Sequence, residues 1–257
     1  MTTLESERPA DYLTRLAASE LGQAYKALVV DEMQIDDGAT VLDLGCGPGA
    51  DLQAFADASG PQGRVIGIDS DSEAIEVARR RVAVDKQIEV AVGDVHRVPM
   101  PAHSVDRVHT DRVIQHVDHP EAVIAEAARV LRPRGIAAFA EPDWDTLVID
   151  FPRPEVHSSY RRFIVDHVVR NARIGRRIAN LCDEQGLSAI RVIPVTAIYR
   201  DAASADRVFG FARVTRRAVE AGYLSAADAD EWLGHLSTQR FFASVSLFVT
   251  LAQKPGS

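Results

Sequence analysis

Three carboxylates stand where apolar runs stop. Asp43 precedes the glycine turn Gly45-x-Gly47-x-Gly49, Asp69 ends Val65-Ile66-Gly67-Ile68, and Asp94 follows the alternating run Ile88 to Gly93. Three glycines in five residues permit backbone angles and a close approach that a Cβ would block, so a ligand is expected against that backbone. A carboxylate at the tip of the next strand can accept both hydroxyls of one ribose. The spacing is not the G-x-G-x-x-G fingerprint of dinucleotide binding, which points away from NAD and FAD.

These groups need strands to hold them. Val41, Leu42 and Leu44 suit a strand covered on both faces, as in a parallel sheet, and the segment after Gly49 must be a helix, from Ala50 to about Ala58. In Val41-Leu42-Asp43-Leu44-Gly45-Cys46-Gly47-Pro48-Gly49, Gly67-Ile68-Asp69, Val92-Gly93-Asp94-Val95 and Ala128-Arg129-Val130-Leu131-Arg132-Pro133-Arg134-Gly135, the chain resembles the class I S-adenosylmethionine-dependent methyltransferases. The ubiquinone and menaquinone C-methyltransferase type and its small-molecule relatives are the nearest in pattern, over roughly Tyr25 to Pro142. The resemblance implies S-adenosyl-L-methionine as cofactor, S-adenosyl-L-homocysteine as its product, and methyl transfer to oxygen, nitrogen or carbon of a small molecule. It places Gly45, Cys46, Gly47 and Gly49 in the cofactor cradle, Asp69 with Ser70 at the ribose, and Gly93, Asp94 and the Val95 amide at the adenine edge. Asp43 has the sign needed for the ammonium and sulfonium groups, and the N-H groups opening the helix after Gly49 suit the carboxylate. Asp111 and Arg112 begin a lip above strand four that faces the transferred methyl.

On that lip His116 is the candidate base or orienting group for the acceptor, with Asp143 beyond strand five as the alternative. Trp144 is expected to line the acceptor pocket or to finish the core, and Tyr12 or Tyr25 reaches the site if the N-terminal helix covers the cofactor. Seven arginines between Arg153 and Arg177 form a local excess that suits either an anionic acceptor or a solvated helix face, Arg173 being the one placed for substrate. His116-x-x-His119 with Asp118 has metal-like spacing, but no further cluster in the sequence completes a site, so no metal is expected.

The predicted fold is α/β, a Rossmann-like doubly wound sheet of seven strands with an antiparallel last strand, plus N-terminal and inserted cap helices. One domain over 1–257 is expected: a helical cover at 1–35, a cofactor-binding half at 36–150, and cap helices inserted at 151–172 and 201–238. Strand four is predicted at Ser104 to Thr110 and strand five at Ile136 to Ala140. Ser70 opens a capping box with Glu73, Asp118 caps the helix that comes after it, the first cap helix runs Glu155 to Arg170, two short helices lie within Ala203 to Leu236, and the last strand spans Phe241 to Ala252. Arg134 stands where the resembled family usually has the middle glycine of Pro-Gly-Gly. A net charge of -8 without a basic patch argues against nucleic acid. Two cysteines make no disulfide framework, and no long apolar run suggests a membrane span, so a cytoplasmic monomer or homodimer is expected. Two other classes stay open: a cyclase or other non-methylating enzyme on this scaffold, and a non-catalytic cofactor-binding subunit.

Overall fold

In the computed structural model, which describes residues 20–237 and 240–256, seven strands form one sheet in the order β3-β2-β1-β4-β5-β7-β6. The strands are β1 (Thr40–Leu44), β2 (Arg64–Asp69), β3 (Ile88–Val92), β4 (Val105–Asp111), β5 (Leu131–Ile149), β6 (Ser188–Tyr199) and β7 (Ala243–Gln253). All neighbours are parallel except β7, which runs antiparallel to both β5 and β6. The predicted fold class is therefore borne out, including the reversed last strand.

Helices cover both faces because the strands are apolar on both. On one face α1 (Glu20–Glu32), α2 (Leu52–Ser59) and α3 (Ser72–Arg81) bring Tyr25, Val29, Met33, Leu52, Phe55 and Ile75 against Val41, Val65, Ala138 and Val249. On the other, α4 (Pro120–Val130) and α6 (Ile174–Glu184) bury Val123, Ile124, Ala127 and Ile178 against Leu42, Val108 and Phe139. Proline at the first turn of α4 costs no hydrogen bond there, since that N-H has no partner within the helix.

A third apolar cluster lies apart from these two. It joins α5 (Pro154–Phe163), a π-helical turn (Ile164–Val168), α7 (Ala202–Phe209), α8 (Phe211–Glu220) and α9 (Ala226–Leu236) to the far ends of β5 and β7. Trp232 and Tyr160 are fully buried at its centre, with rings 4.9 Å apart, and each such side chain is worth about 1.5–3 kcal/mol of burial. These helices form the cap.

Several local expectations are corrected. Strand five does not stop at Ala140 but runs to Ile149, because the long β7 offers ladder partners on beyond Glu141, with a register shift between Asp143 and Val148. Ser70 does not cap α3: Asp71 does, accepting from the Glu73 and Ala74 N-H groups. Asp118 does not cap α4 either, since His119 occupies that position without a side-chain cap and Asp118 pairs with Arg170. The first cap helix ends at Phe163 and continues only as the π-helical turn. The later insertion holds three helices, not two, because Gly210 at φ 58 breaks the run between Phe209 and Phe211. Strand seven starts two residues later than expected and ends one later, while β4 is shifted by one residue. Arg134 takes φ 65, the left-handed angle that a glycine would adopt without strain, and the turn closes through its N-H on the Lys254 carbonyl.

Candidate functional site

The glycine turn is fastened to the end of β2 by its backbone. Gly45 and Cys46 both donate to the Ile68 carbonyl, at 2.7 and 3.1 Å. Gly47 donates to Asp69 Oδ2 at 2.8 Å, and the other oxygen of Asp69 accepts from Asp71 N at 2.9 Å. Asp69 thus shapes the turn, with lone pairs left for hydroxyl donors. Gly45 is required by closeness, since a Cβ there would stand 2.3 Å from Val113 Cγ2. Gly47 is the opposite case: at φ 51, a Cβ would meet nothing within 4 Å, so this stretch of backbone faces open space.

Asp43 and His109 are neighbours across β1 and β4, and Nδ1 of the histidine lies 2.8 Å from Asp43 Oδ1 with both residues 3% exposed. Burial raises the Asp43 pKa, against the pull of His109. Burial also opposes charge on His109, yet the adjacent carboxylate holds the imidazole pKa above its ordinary value. The Phe55 ring packs edge-on against the imidazole at 5.0 Å and keeps water from the pair.

Above this pair lies a dense charge cluster. Lys26 Nζ, on α1, meets Asp51 Oδ2 at 2.5 Å and Asp111 Oδ2 at 2.8 Å, while Tyr25 donates its hydroxyl to Asp111 at 2.6 Å. Burial works against ionisation of Asp111, but Lys26 and Arg112 more than offset it and hold the carboxyl far below the usual range. Arg112, at φ 58, lies over the Tyr25 ring at 5.4 Å. One oxygen, Asp111 Oδ1, is buried without a hydrogen-bond partner. The cavity that Lys26, Asp43, Gly45, Gly47, Asp51 and Asp111 enclose measures about 50 Å³, where small-molecule pockets run to roughly 300 Å³ or more. Asp43, Asp51 and His109 bring ligand atoms within 4.8 Å of one another, a metal-like grouping, but the Lys26 ammonium is already paired with Asp51.

The lip from Asp111 to Val117 is held from below and from the cap side. Glu141, fully buried, accepts from the N-H groups of Val113 (2.8 Å), Ile114 (2.6 Å) and Gln115 (3.2 Å). Burial pushes its pKa up to about 8, against the pull of those three donors. Trp144 Nε1 donates to Gln115 Oε1 at 2.8 Å, and Asn171 Nδ2 donates to the carbonyls of Ile114 and Val117. His116 stands on this clamped lip, open to solvent on one side, and the surrounding protein lowers its pKa below the ordinary histidine value.

The structure brings Asp43, Gly45, Cys46, Gly47, Asp51, Asp111 and Arg112 to one cleft, with Tyr25 on its wall. Gly49 lies deeper, against Ala78. Ser70 is exposed beside Asp69. Gly93 donates to the Asp69 carbonyl, Val95 is buried, and Asp94 is 66% exposed with its carboxylate on His96. Asp143 is fully buried and gripped by Arg176. Arg173 pairs with Asp145 at 3.1 Å. Tyr12 lies outside the described residues. The sequence reading gives Lys26, His109 and Glu141 no role in the site. Glu141 has a visible signal, a carboxylate that ends a five-residue apolar run, and Lys26 directly follows a tyrosine already placed near the site.

Comparison with known proteins decides the family. A family model described as a methyltransferase domain matches residues 35–186. The chain belongs to the methyltransferase family. A 37.1 kDa protein in transposon Tn4556 of Streptomyces fradiae is 48% identical over 242 residues, 94% of this chain and 70% of that protein. Trans-aconitate 2-methyltransferase of Azoarcus sp. (strain BH72) is 35% identical over 125 residues, 49% of this chain, and the match spans 47% of that enzyme. In fold, the YcgJ protein of Bacillus subtilis superposes with a TM-score of 0.65 at 17% identity over 91% of this chain and 100% of that one. The [4+2]-cyclase SpnF does so with a TM-score of 0.57 at 16% identity over 92% of this chain and 82% of that one. The expected class I S-adenosylmethionine-dependent methyltransferase membership is thus borne out. No helix among the described residues is long and apolar enough to cross a membrane.

Proposed function

We propose that this methyltransferase binds S-adenosyl-L-methionine in the cleft at the ends of β1, β2 and β4 and methylates a small molecule held between the lip and the cap. When bound, the cofactor supplies a sulfonium-activated methyl group for in-line displacement. The observation that carries this reading is Asp111 Oδ1, a buried carboxylate oxygen that accepts no hydrogen bond and has only the Arg112 guanidinium 3.9 Å away, in the cleft lined by the open backbone of Gly47. A buried acceptor left unpaired costs about 1–3 kcal/mol, and a cationic N-H donor would recover it.

In this reading Asp111 and Asp51 hold the cofactor's ammonium, the Asp43–His109 pair forms the floor beneath it, Asp69 accepts from the ribose hydroxyls, and Asp94 with the Val95 amide meets the adenine. Lys26 now occupies the place between Asp51 and Asp111, so it gives way to the entering ammonium: two like charges do not share a buried pair of carboxylates at contact distance. Glu141, Asn171 and Trp144 keep the lip rigid, which aligns the acceptor with the methyl, and alignment alone can supply much of the rate. His116 is the base or orienting group. Asp143 is less suited to that role, because an ion-paired carboxylate is a weak base.

The acceptor is sought first among small carboxylates, in line with the trans-aconitate relative. The protein is incubated with methyl-labelled cofactor and such acceptors, and the products are weighed by mass spectrometry. Label appearing in an acceptor is the expected result. The fold likeness to SpnF keeps a second reading, in which the acceptor rearranges without gaining mass and the label never leaves the cofactor. That outcome would overturn methyl transfer while leaving cofactor binding intact.

A further inference from the structure

A second cavity, of about 780 Å³, lies away from the cofactor cleft where the sheet meets the cap. Its walls come from three of the four places where the chain crosses between them. Ile149 to Pro154 leads from β5 into α5, Arg200 leads from β6 into α7, and Arg240 to Phe242 leads from the cap into β7. By register Ala140 sits beside Asp111 and opposite Val249, while Ile149 pairs with Ala243. Six residues of β7 therefore separate the two places, which is about 20 Å at the rise of a strand.

The lining has two chemistries. Phe151, Phe241 and Phe242 give it aromatic walls, and Phe151 is backed by the buried Trp232 at 5.0 Å. Arg200 and Arg240, both exposed, give it two cations, and neither has a carboxylate partner among the described residues. Five arginines elsewhere in and around the cap are ion-paired, Arg153 with Glu155, Asp228 and Glu231, Arg161 and Arg173 with Asp145, Arg170 with Asp118, and Arg176 with Asp143, while Arg162 and Arg217 lie over the rings of Tyr223 and Phe163. His157 adds a ring nitrogen, Nε2, that is buried without a hydrogen-bond partner. Burial, helped by Arg161, keeps this imidazole below its ordinary pKa, so near neutral pH it offers a neutral polar group and not a third cation. Asp150 on the rim offsets one of the two positive charges.

We propose that this cavity is a second binding site, for a small planar aromatic carboxylate whose ring lies among the phenylalanines and whose carboxylate is taken by Arg200 and Arg240. A guanidinium fork fits a carboxylate in geometry as well as charge. A ligand held there touches three of the four crossings at once and so ties the cap to the sheet. The proposal does not depend on the cofactor cleft or on the reaction assigned to it.

The test is calorimetric titration of the full chain with 1-naphthoate, with 1-naphthalenemethanol as the neutral control and with S-adenosyl-L-homocysteine as a competitor. The acid is expected to bind, the alcohol to bind at least tenfold more weakly, and the competitor to leave the acid's affinity unchanged. Arg200→Ala and Arg240→Ala should each weaken binding by roughly tenfold or more, and Asp150→Asn should tighten it. All three side chains are exposed, so the variants should keep the parent's circular dichroism and melting temperature. Absence of binding, equal affinity of acid and alcohol, competition by the nucleoside, or unchanged affinity in the folded Arg200→Ala/Arg240→Ala double variant would each overturn the proposal.

Discussion

The cleft at β1, β2 and β4 and the cap are held by different physics. In the cleft the decisive contacts are backbone ones: Gly45 and Cys46 on the Ile68 carbonyl, Gly47 on Asp69, and three lip N-H groups on Glu141. Charges there are buried and share partners within 3 Å, as Lys26, Tyr25 and Asp111 do. The cap is an aromatic cluster of its own, with ion pairs between half-exposed side chains such as Arg153 and Glu231 around it. Backbone constraints tolerate few residue types, whereas an aromatic core accepts many. A site whose geometry is set by backbone keeps its pattern, and a cap set by side-chain volume is free to vary. The family match covers the cleft and, of the cap, only α5 and the π-helical turn: it ends at residue 186, before α7, α8 and α9 begin.

The comparison breaks first at His116. If the lip carries the chemistry and the cap only the fit, His116→Ala should lower turnover by about 10²- to 10⁴-fold, with cofactor affinity almost unchanged, because a base acts on the acceptor. Near-normal turnover across the pH range would mean that alignment alone drives the reaction.

Glu141 comes next, as the group through which the fold holds the lip. Glu141→Ala leaves three lip N-H groups without their acceptor and should cost about 3 kcal/mol or more in a urea melt, with turnover lost in parallel. Its pH behaviour sharpens the point. A carboxyl whose folded pKa is raised from 4.5 to about 8 binds its proton more tightly when folded, so the stability tied to that proton is full below 4.5 and declines as pH rises to 8. Relative to Glu141→Gln, the wild type should therefore lose stability between about pH 5 and about pH 8.5. A flat difference would show that the three donors keep the carboxylate ionised throughout.

How legible each region is in the sequence depends on the same contrast. The glycine turn, Asp43, Asp69 and the succession of strands along the chain can be read because period, glycine and strand-end acids are local signals. The length of β5 cannot, since its extension past Ala140 depends on the distant β7. Nor can the His109–Asp43 pair, in which a histidine inside an apolar strand is matched to an acid 66 residues away. The arginine-rich segment shows the opposite failure. Its charge excess suits either an anionic acceptor or a solvated helix face, yet Arg153, Arg161, Arg170, Arg173 and Arg176 all meet carboxylates of the chain itself, and pairing of that kind leaves no trace in one-dimensional spacing.

Asp69 tests whether backbone shaping and ligand binding are separable. Asp69→Ala removes charge-assisted acceptors for the ribose and also the hold on Gly47, so cofactor affinity should fall by roughly ten- to a hundredfold while the melting temperature moves little. An unchanged dissociation constant in a folded variant would place the ribose elsewhere.

The smallest expected effect is the most discriminating, because it separates a cleft that is preformed from one that must open. Lys26 Nζ lies 2.5 Å from Asp51 and 2.8 Å from Asp111, and its pKa is raised by those two carboxylates against the cost of burial. If it holds the place of the cofactor's ammonium, binding must first break both ion pairs. Lys26→Met keeps most of the side-chain volume, removes the competing cation and leaves Asp51 without its ammonium partner and Asp111 with Arg112 as its remaining cation. S-adenosyl-L-methionine should then bind the variant more tightly, by about three- to tenfold, a coupling of roughly 1 kcal/mol. The gain should shrink with added salt less than a surface effect would, since both carboxylates are largely shielded from solvent. If Lys26→Met instead weakens the cofactor, the lysine grips the carboxylate of the methionine part, and α1 belongs to the binding site as a fixed wall, not as an element that yields.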